Sequence, residues 1–370
     1  MSKKKMLYIG HNYHLRTLST RFLIDMFKEV YDVFEISYDM DESRFDLYDC
    51  DPGIIYEILV VFQVFVPPSE LKSMFKFKNA AFFPMYDGAG YKPPDFWEKY
   101  RNFNIINFSS TLHNRLLEMG MSSYYIQYFP KPVERFDDGE SDSAFFWQRI
   151  DYVTINTISP LVKYLNIENV HLHTVCDPGH HDTKPDKEVV KQIHITTSDW
   201  FESSTDMLKK VEKAAIYIAP RMYEGIGMSF LEAMAMGRCV IAINYPTMNE
   251  YITDGYNGIL YEFDNPELAG SYDIRRIQKN AYDYVVKGYT AWEHDKQHIY
   301  QWIRKKVSVD LRKLQNALDV LHMQKSYYIC NKVVLIKDKE GIFFAFGKVR
   351  VPILFIKVMK RVYRLVKGTG

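Results

Sequence analysis

Short apolar runs recur through the first half of the chain, at residues 6–9, 33–38, 54–65, 80–85, 105–108 and 124–128, each closed by polar or turn residues. Runs of this kind predict strands buried on both faces, as in a parallel sheet. Between them, residues 17–30 and 111–119 repeat apolar positions at helical spacing, so strand and helix alternate. That cadence predicts a Rossmann-like α/β domain over residues 1–133. The polar stretch Glu134 to Ser143 (ERFDDGESDS) then reads as an exposed linker. Beyond it the alternation resumes, with strands expected at 144–149, 170–175, 193–196, 215–219 and 239–243 and helices at 203–214 and 229–236. A second α/β domain is therefore expected over 144–288, followed by a helix at 289–306 and an extension over 307–370.

A chain of 370 residues is too long for one ordinary core, in keeping with two domains. Hydrophobic residues make up 47% and charged residues 25%, which marks a globular chain, and the net charge of +1 offers no argument for nucleic acid, so none is expected as a partner. The four cysteines, Cys50, Cys176, Cys239 and Cys330, lie far apart, the pattern of reduced thiols in a cytoplasmic protein. The basic start, MSKKKMLYIGHNY, carries too short an apolar run for a signal peptide, and no apolar run is long enough to span a membrane.

Chemistry concentrates in residues 215–262, AIYIAPRMYEGIGMSFLEAMAMGRCVIAINYPTMNEYITDGYNGILYE. A buried strand, a glycine loop, a helix and a second strand form a parallel unit, whose ligands bind beyond the carboxyl ends of the strands. The loop carries Glu224, and Glu232 follows eight residues later, one turn into the helix. Gly225 and Gly227 leave the amides from Gly225 and Ile226 to Met228 and Ser229 uncovered, a setting that favours phosphate oxygens. Ser229 and Glu232 also fit a capping box, which would employ Glu232 only to hold the helix end.

The whole stretch resembles the retaining GT-B glycosyltransferases of the GT4 type, with their E-x7-E signature and the pattern EGxGxxxLEAMAxGxxV; NEYITDGYNGILYE resembles that family's next segment. The resemblance implies two Rossmann-like domains facing a cleft, a nucleotide diphosphate sugar as donor, and no required metal or other cofactor. It places Glu224 at the donor sugar hydroxyls and Glu232 at the ribose. The run 144–149 resembles the first strand of the family's donor domain, which makes Arg149 the expected contact to the donor phosphates, helped by Arg221; guanidinium geometry suits a pyrophosphate. Where the family usually has a lysine five residues on, this chain has Thr154. The loop Ser198-Asp199-Trp200 lies where related enzymes contact the base. Gly10 and His11, after the first strand, occupy the family's acceptor-side loop or else a plain turn. Asp87, in FFPMYDG, would face the same cleft and orient or deprotonate an acceptor hydroxyl.

Two metal-like signals are weighed against this. His171-x-His173-x-x-Cys176-Asp177-x-x-His180-His181-Asp182 is dense in ligand types but matches no standard zinc spacing, and surface-loop histidines are the reading preferred. Asp39-Met40-Asp41 follows only the second strand, far from the E-x7-E unit, and reads as a solvated loop rather than a GT-A cation site. From 341 to 370 there are seven basic residues and no acidic one, so the remainder carries −6. Leu354, Val358, Val362 and Leu365 recur there at helical spacing, predicting a basic amphipathic helix that suits an anionic membrane surface or packs on the protein or a partner subunit. The expectation is a hexosyltransferase acting on a glycan or lipid-linked glycan acceptor, held peripherally at the inner face of the plasma membrane. The rival is a catalytically silent GT-B subunit that binds glycan or scaffolds a partner.

Overall fold

The computed structural model describes residues 3–47, 53–201, 204–331, 334–338, 341–346 and 349–352. Seven strands form the first sheet: β1 (Lys4–His11), β2 (Tyr31–Asp39), β3 (Arg44–Asp46), β4 (Ile55–Phe62), β5 (Lys76–Phe83), β6 (Asn104–Asn107) and β7 (Ser123–Tyr125). Their order is β3-β2-β1-β4-β5-β6-β7, parallel except for the β2–β3 hairpin. The runs are apolar because both faces are covered: Met6, Leu7, Tyr8 and Ile9 of β1 are all buried. The helix expected at 17–30 is two pieces, His14–Thr17 and Arg21–Val30, broken where Leu18 turns left-handed.

The second sheet contains β8 (Glu140–Trp147), β9 (Asn169–His173), β10 (His194–Ser198), β11 (Ala214–Ile218), β12 (Cys239–Ile243) and β13 (Ile259–Tyr261). The order β10-β9-β8-β11-β12-β13 is all parallel and reverses direction between β8 and β11. Such a switch point opens a crevice at the carboxyl ends of the strands, where ligands enter. The corresponding point in the first sheet lies between β1 and β4.

Two boundaries differ from expectation. The second sheet begins at Glu140, inside the stretch expected to be linker, because backbone pairing of Glu140 with Ala214 and of Ser143 with Asn169 outweighs the polar composition. Buried Arg238 secures this approach: its Nη1 donates to the carbonyls of Glu212 at 2.7 Å and Ala214 at 2.6 Å, and its Nη2 to that of Asp137. The helix expected at 289–306 is the second half of a longer one, Ile274–Trp302, whose amino end Asp273 caps by accepting from the amide of Arg276. Gly288 sits inside it, where a Cβ would lie 2.4 Å from the ring of Phe129.

That helix serves both domains. Ile277, Ala281 and Val285 are buried at helical spacing in the first half, while Trp292 packs its ring on Phe22, Phe108 and Tyr128 of the first domain. Farther on, the hydroxyl of Tyr300 donates to the carbonyl of Met26, and Arg304 Nε donates to the hydroxyl of Tyr31 at 2.6 Å. The next helix, Leu311–Asn331, buries Leu314 and Leu318 in the first domain's core. A three-stranded antiparallel sheet follows, β14 (Val334–Asp338), β15 (Gly341–Phe346) and β16 (Val349–Pro352). The extension is thus helix and strands up to residue 352, and the amphipathic helix read over 354–365 lies outside the described residues. No helix among the described residues is long and apolar enough to cross a membrane.

Candidate active site

The loop after β11 is built on glycine. Gly227 has φ +85° and occupies the cap position of helix Met228–Ala235, where a Cβ would fall within 1.8 Å of the Phe230 ring. With Gly227 as cap, Ser229 lies inside the first turn and no side chain caps the helix, so the Ser229–Glu232 capping box does not form. Glu232 takes no hydrogen bond or ion pair from the described residues, and burial pushes its pKa up to about 7. Glu232 is half-buried, whereas Glu224 is buried; its amide donates to the carbonyl of Pro246 at 3.2 Å, and its carboxylate lies 3.8 Å from Arg221 Nη1. Burial raises its pKa, against the opposing pull of Arg221 and Arg149.

Asp87 reaches this loop from the other domain. It opens the short helix Tyr86–Ala89 after β5, with Oδ1 accepting from the amide of Gly88 at 2.8 Å and Oδ2 at 3.5 Å from Arg221 Nη1. Burial raises its pKa, and Arg221 opposes the rise. The domains touch closely here: a Cβ on Gly225 would stand 2.8 Å from Cβ of Met85 and 3.2 Å from Oδ1 of Asp87. Arg221, Glu224, Gly225 and Asp87 are therefore neighbours, as are the loop amides.

Arg149 arrives at the switch point beside them, two residues past the end of β8, with its guanidinium 4.5 Å from the Trp147 ring centre. It is held by a residue that the sequence presented only as part of the metal-like stretch, with no role toward the arginines. Asp177 accepts from Arg149 through Oδ1, at 2.9 Å from Nε and 2.6 Å from Nη2, and from Arg221 through Oδ2, at 2.9 Å from Nε and also from Nη2. Its amide in turn donates to the carbonyl of Arg149 at 2.8 Å. Besides its membership of that stretch, the signal in the sequence was its place just beyond a parallel strand. Thr154, in the expected lysine position, is buried and caps helix Ile155–Tyr164 in a reciprocal box with Thr157.

The other members of the histidine-rich stretch diverge. His171 and His173 are not surface-loop groups but sit on β9, both within hydrogen-bond distance of the hydroxyl of Ser198. His180 pairs with Asp151 at 2.8 Å, and Asp182 accepts from Gln148 at 2.7 Å. Trp200 is 76% exposed. Among the described residues no cluster of three histidine, cysteine or acidic side chains is arranged to hold a metal ion. Asp39 ends β2, where its carboxylate accepts from the amides of Asp41 and Glu42 in the turn of the β2–β3 hairpin.

Gly10 and His11 end β1 and line a cavity of about 660 Å³ in the first domain, with Tyr8, His14, Arg21 and Glu35 among its walls. They are not in the arginine cluster, but His14 leads toward it. His14 Nε2 donates to Gln63 Oε1 at 3.2 Å, and Gln63 Nε2 donates to Asp87 Oδ1 at 3.4 Å. Burial, helped by His11 nearby, takes the His14 pKa down to about 4, so the ring is neutral at physiological pH.

A solved glycosyltransferase from Rickettsia africae superposes on this chain at a TM-score of 0.55 and 14% identity over 82% of this chain and 100% of that one. The fold is GT-B. Residues 147–273, which carry Arg149, Asp177, Arg221, Glu224 and Glu232, match the family described as glycosyl transferases group 1. Two uncharacterized glycosyltransferases of Methanocaldococcus jannaschii are similar over shorter stretches. One is 35% identical over 101 residues, which is 25% of this chain and 28% of its own length; the other is 30% identical over 102 residues, 26% of each. The matched stretch thus spans little more than a quarter of either relative.

Proposed function

We propose that this GT-B chain is a glycosyltransferase that moves a hexose-type sugar from a nucleotide diphosphate sugar to a glycan acceptor with retention and without a required metal. The observation that carries the reading is the meeting of Arg149, Arg221, Glu224 and Asp87 where the carboxyl ends of the two sheets face each other. In this reading the arginines and the amides of the Gly225–Ser229 loop neutralise the departing diphosphate. Glu224 holds the sugar hydroxyls, and Glu232, half-buried with no hydrogen bond or ion pair from the described residues, accepts from the ribose. Asp87 receives the acceptor hydroxyl's proton, for which a raised pKa is suited. Asp87 lies 3.5 Å from Arg221, which supports a reading in which acceptor and leaving group share one face of the sugar, the arrangement retention needs.

The test is transfer and donor hydrolysis with UDP-, GDP-, ADP- and TDP-sugars, with and without chelator. Glu224→Gln should abolish turnover and leave folding intact, since a lost charged hydrogen bond costs about 1.5 to 3 kcal/mol and more if it tightens in the transition state. Wild-type turnover in that variant would sink the assignment. Activity lost with chelator would remove the metal-free reading. A second reading, a silent subunit that binds nucleotide without turnover, is favoured by the counter-charge that Asp177 already supplies to both arginines; binding without transfer or hydrolysis would select it.

The seven basic residues of 341–370, with no acid among them, support a lipid-linked acceptor and attachment to the anionic inner face of the plasma membrane. Deleting 353–370 should release the protein from anionic vesicles, and high salt should weaken attachment of the whole chain. Sedimentation of the shortened chain with vesicles would remove this part of the proposal.

A further inference from the structure

Resting on the donor reading above, we infer that Asp177 is an internal counter-anion which the donor's diphosphate displaces from Arg149 and Arg221. The geometry is that of an occupied anion site. One carboxylate gives one oxygen to each guanidinium, and on each arginine the edge used is the Nε–Nη2 edge that grips an oxyanion through two donors. The remaining Nη1 of Arg221 is turned to Asp87 and Glu224. A diphosphate can therefore engage both arginines through these Nε–Nη2 edges only by taking the place of Asp177.

The exchange is electrostatically reasonable. The side chains are 14%, 25% and 11% exposed for Arg149, Arg221 and Asp177, so the charges are weakly screened and neither arginine is stable unpaired. A diphosphate brings at least two negative charges and several acceptor oxygens, whereas Asp177 brings one charge. The backbone bond from the Asp177 amide to the Arg149 carbonyl keeps the carboxylate beside the clamp, ready to return when the product leaves. Thr154 fits the same account: with no lysine there, the two arginines supply the described positive charge of the clamp, and one carboxylate is enough to hold both.

A purely structural ion pair and a displaceable counter-anion predict opposite signs. Calorimetric binding of inorganic pyrophosphate, UDP, GDP, ADP and TDP to the full chain separates them. Asp177→Asn should bind pyrophosphate and the preferred nucleotide about tenfold more tightly than wild type, roughly the contribution of one charge-assisted hydrogen bond. Asp177→Glu, which keeps the charge, should stay near wild type, and adding Arg149→Ala to Asp177→Asn should erase the gain. Binding by Asp177→Asn that is unchanged or weaker, in a variant that melts like wild type, overturns the inference. If wild type and Asp177→Asn bind neither pyrophosphate nor any of the nucleotides, the donor reading itself falls and this inference falls with it. Wild type gives a readout that needs no variant: the Nε–H resonances of Arg149 and Arg221 should both shift on adding pyrophosphate. Binding that leaves them unmoved also overturns the exchange.

Discussion

Oε2 of Glu250 accepts a hydrogen bond from the backbone amide of Ser110 at 2.7 Å, and the two residues belong to different domains. Oε1 of the same carboxylate accepts from the Ser109 hydroxyl at 2.8 Å and the Thr111 amide at 3.1 Å. A side chain of the donor half thus serves the exposed amides that begin helix Ser110–Glu118, where negative charge also meets the helix dipole. Glu250→Ala should lower stability by about 2 kcal/mol and increase the radius of gyration in solution scattering. An unchanged urea midpoint would show that the contact contributes nothing.

Arg149→Ala should weaken binding of nucleoside diphosphates far more than that of the free nucleosides, because only the former present oxygens to the guanidinium. Equal weakening of both would make Arg149 structural. The comparison is most informative in the Asp177→Asn background, where the arginine has no competing carboxylate.

Glu232 gives a pH-dependent expectation. Burial moves its folded-state pKa from 4.5 to about 7, so folding favours the protonated form. Its stabilising contribution is fully present below about pH 4.5 and is lost as pH rises through about 7. Glu232→Gln has no such dependence. The stability of wild type relative to this variant should fall by up to about 3 kcal/mol across that window, as read by urea unfolding over a pH series. A constant difference would mean that the carboxylate is solvated in the folded chain.

Gly225→Ala tests the closeness of the domains. The new methyl would meet Cβ of Met85 at 2.8 Å, an atom fixed to the backbone of the other domain. Relief requires the halves to separate slightly, so stability should drop by roughly 1 to 3 kcal/mol and turnover should fall with it. Normal stability and turnover would show that the cleft opens freely at this point.

The two sheets were legible because parallel strands covered on both faces must be apolar on both faces, and Met6 to Ile9 or Cys239 to Ile243 could hardly be read otherwise. The glycine loop was legible for a similar reason, since Gly227 takes a backbone conformation that few other residues tolerate. Asp177, Gln63 and Arg238 carried no such mark. What each does depends on groups distant in sequence: Asp177 meets Arg221 across 44 positions, and Arg238 meets Asp137 across 101. Periodicity reports burial, and burial says nothing about which polar groups will be brought together. Glu140–Ser143 misled in the opposite direction, since its polar side chains hid backbone bonds that any sequence can make.

The long helix Ile274–Trp302 bears on the order in which the molecule can be completed during synthesis. The first domain's strands leave the ribosome first, but Trp292, Tyr300, Leu314 and Leu318, which close over Phe22, Phe108, Met26 and the neighbouring core, are made late. Until then the half that was translated first keeps an uncovered apolar face, a state open to misassembly or to a chaperone. A fragment ending before Ile274 would carry that face permanently, so the domain that begins the chain is also the one that is finished last.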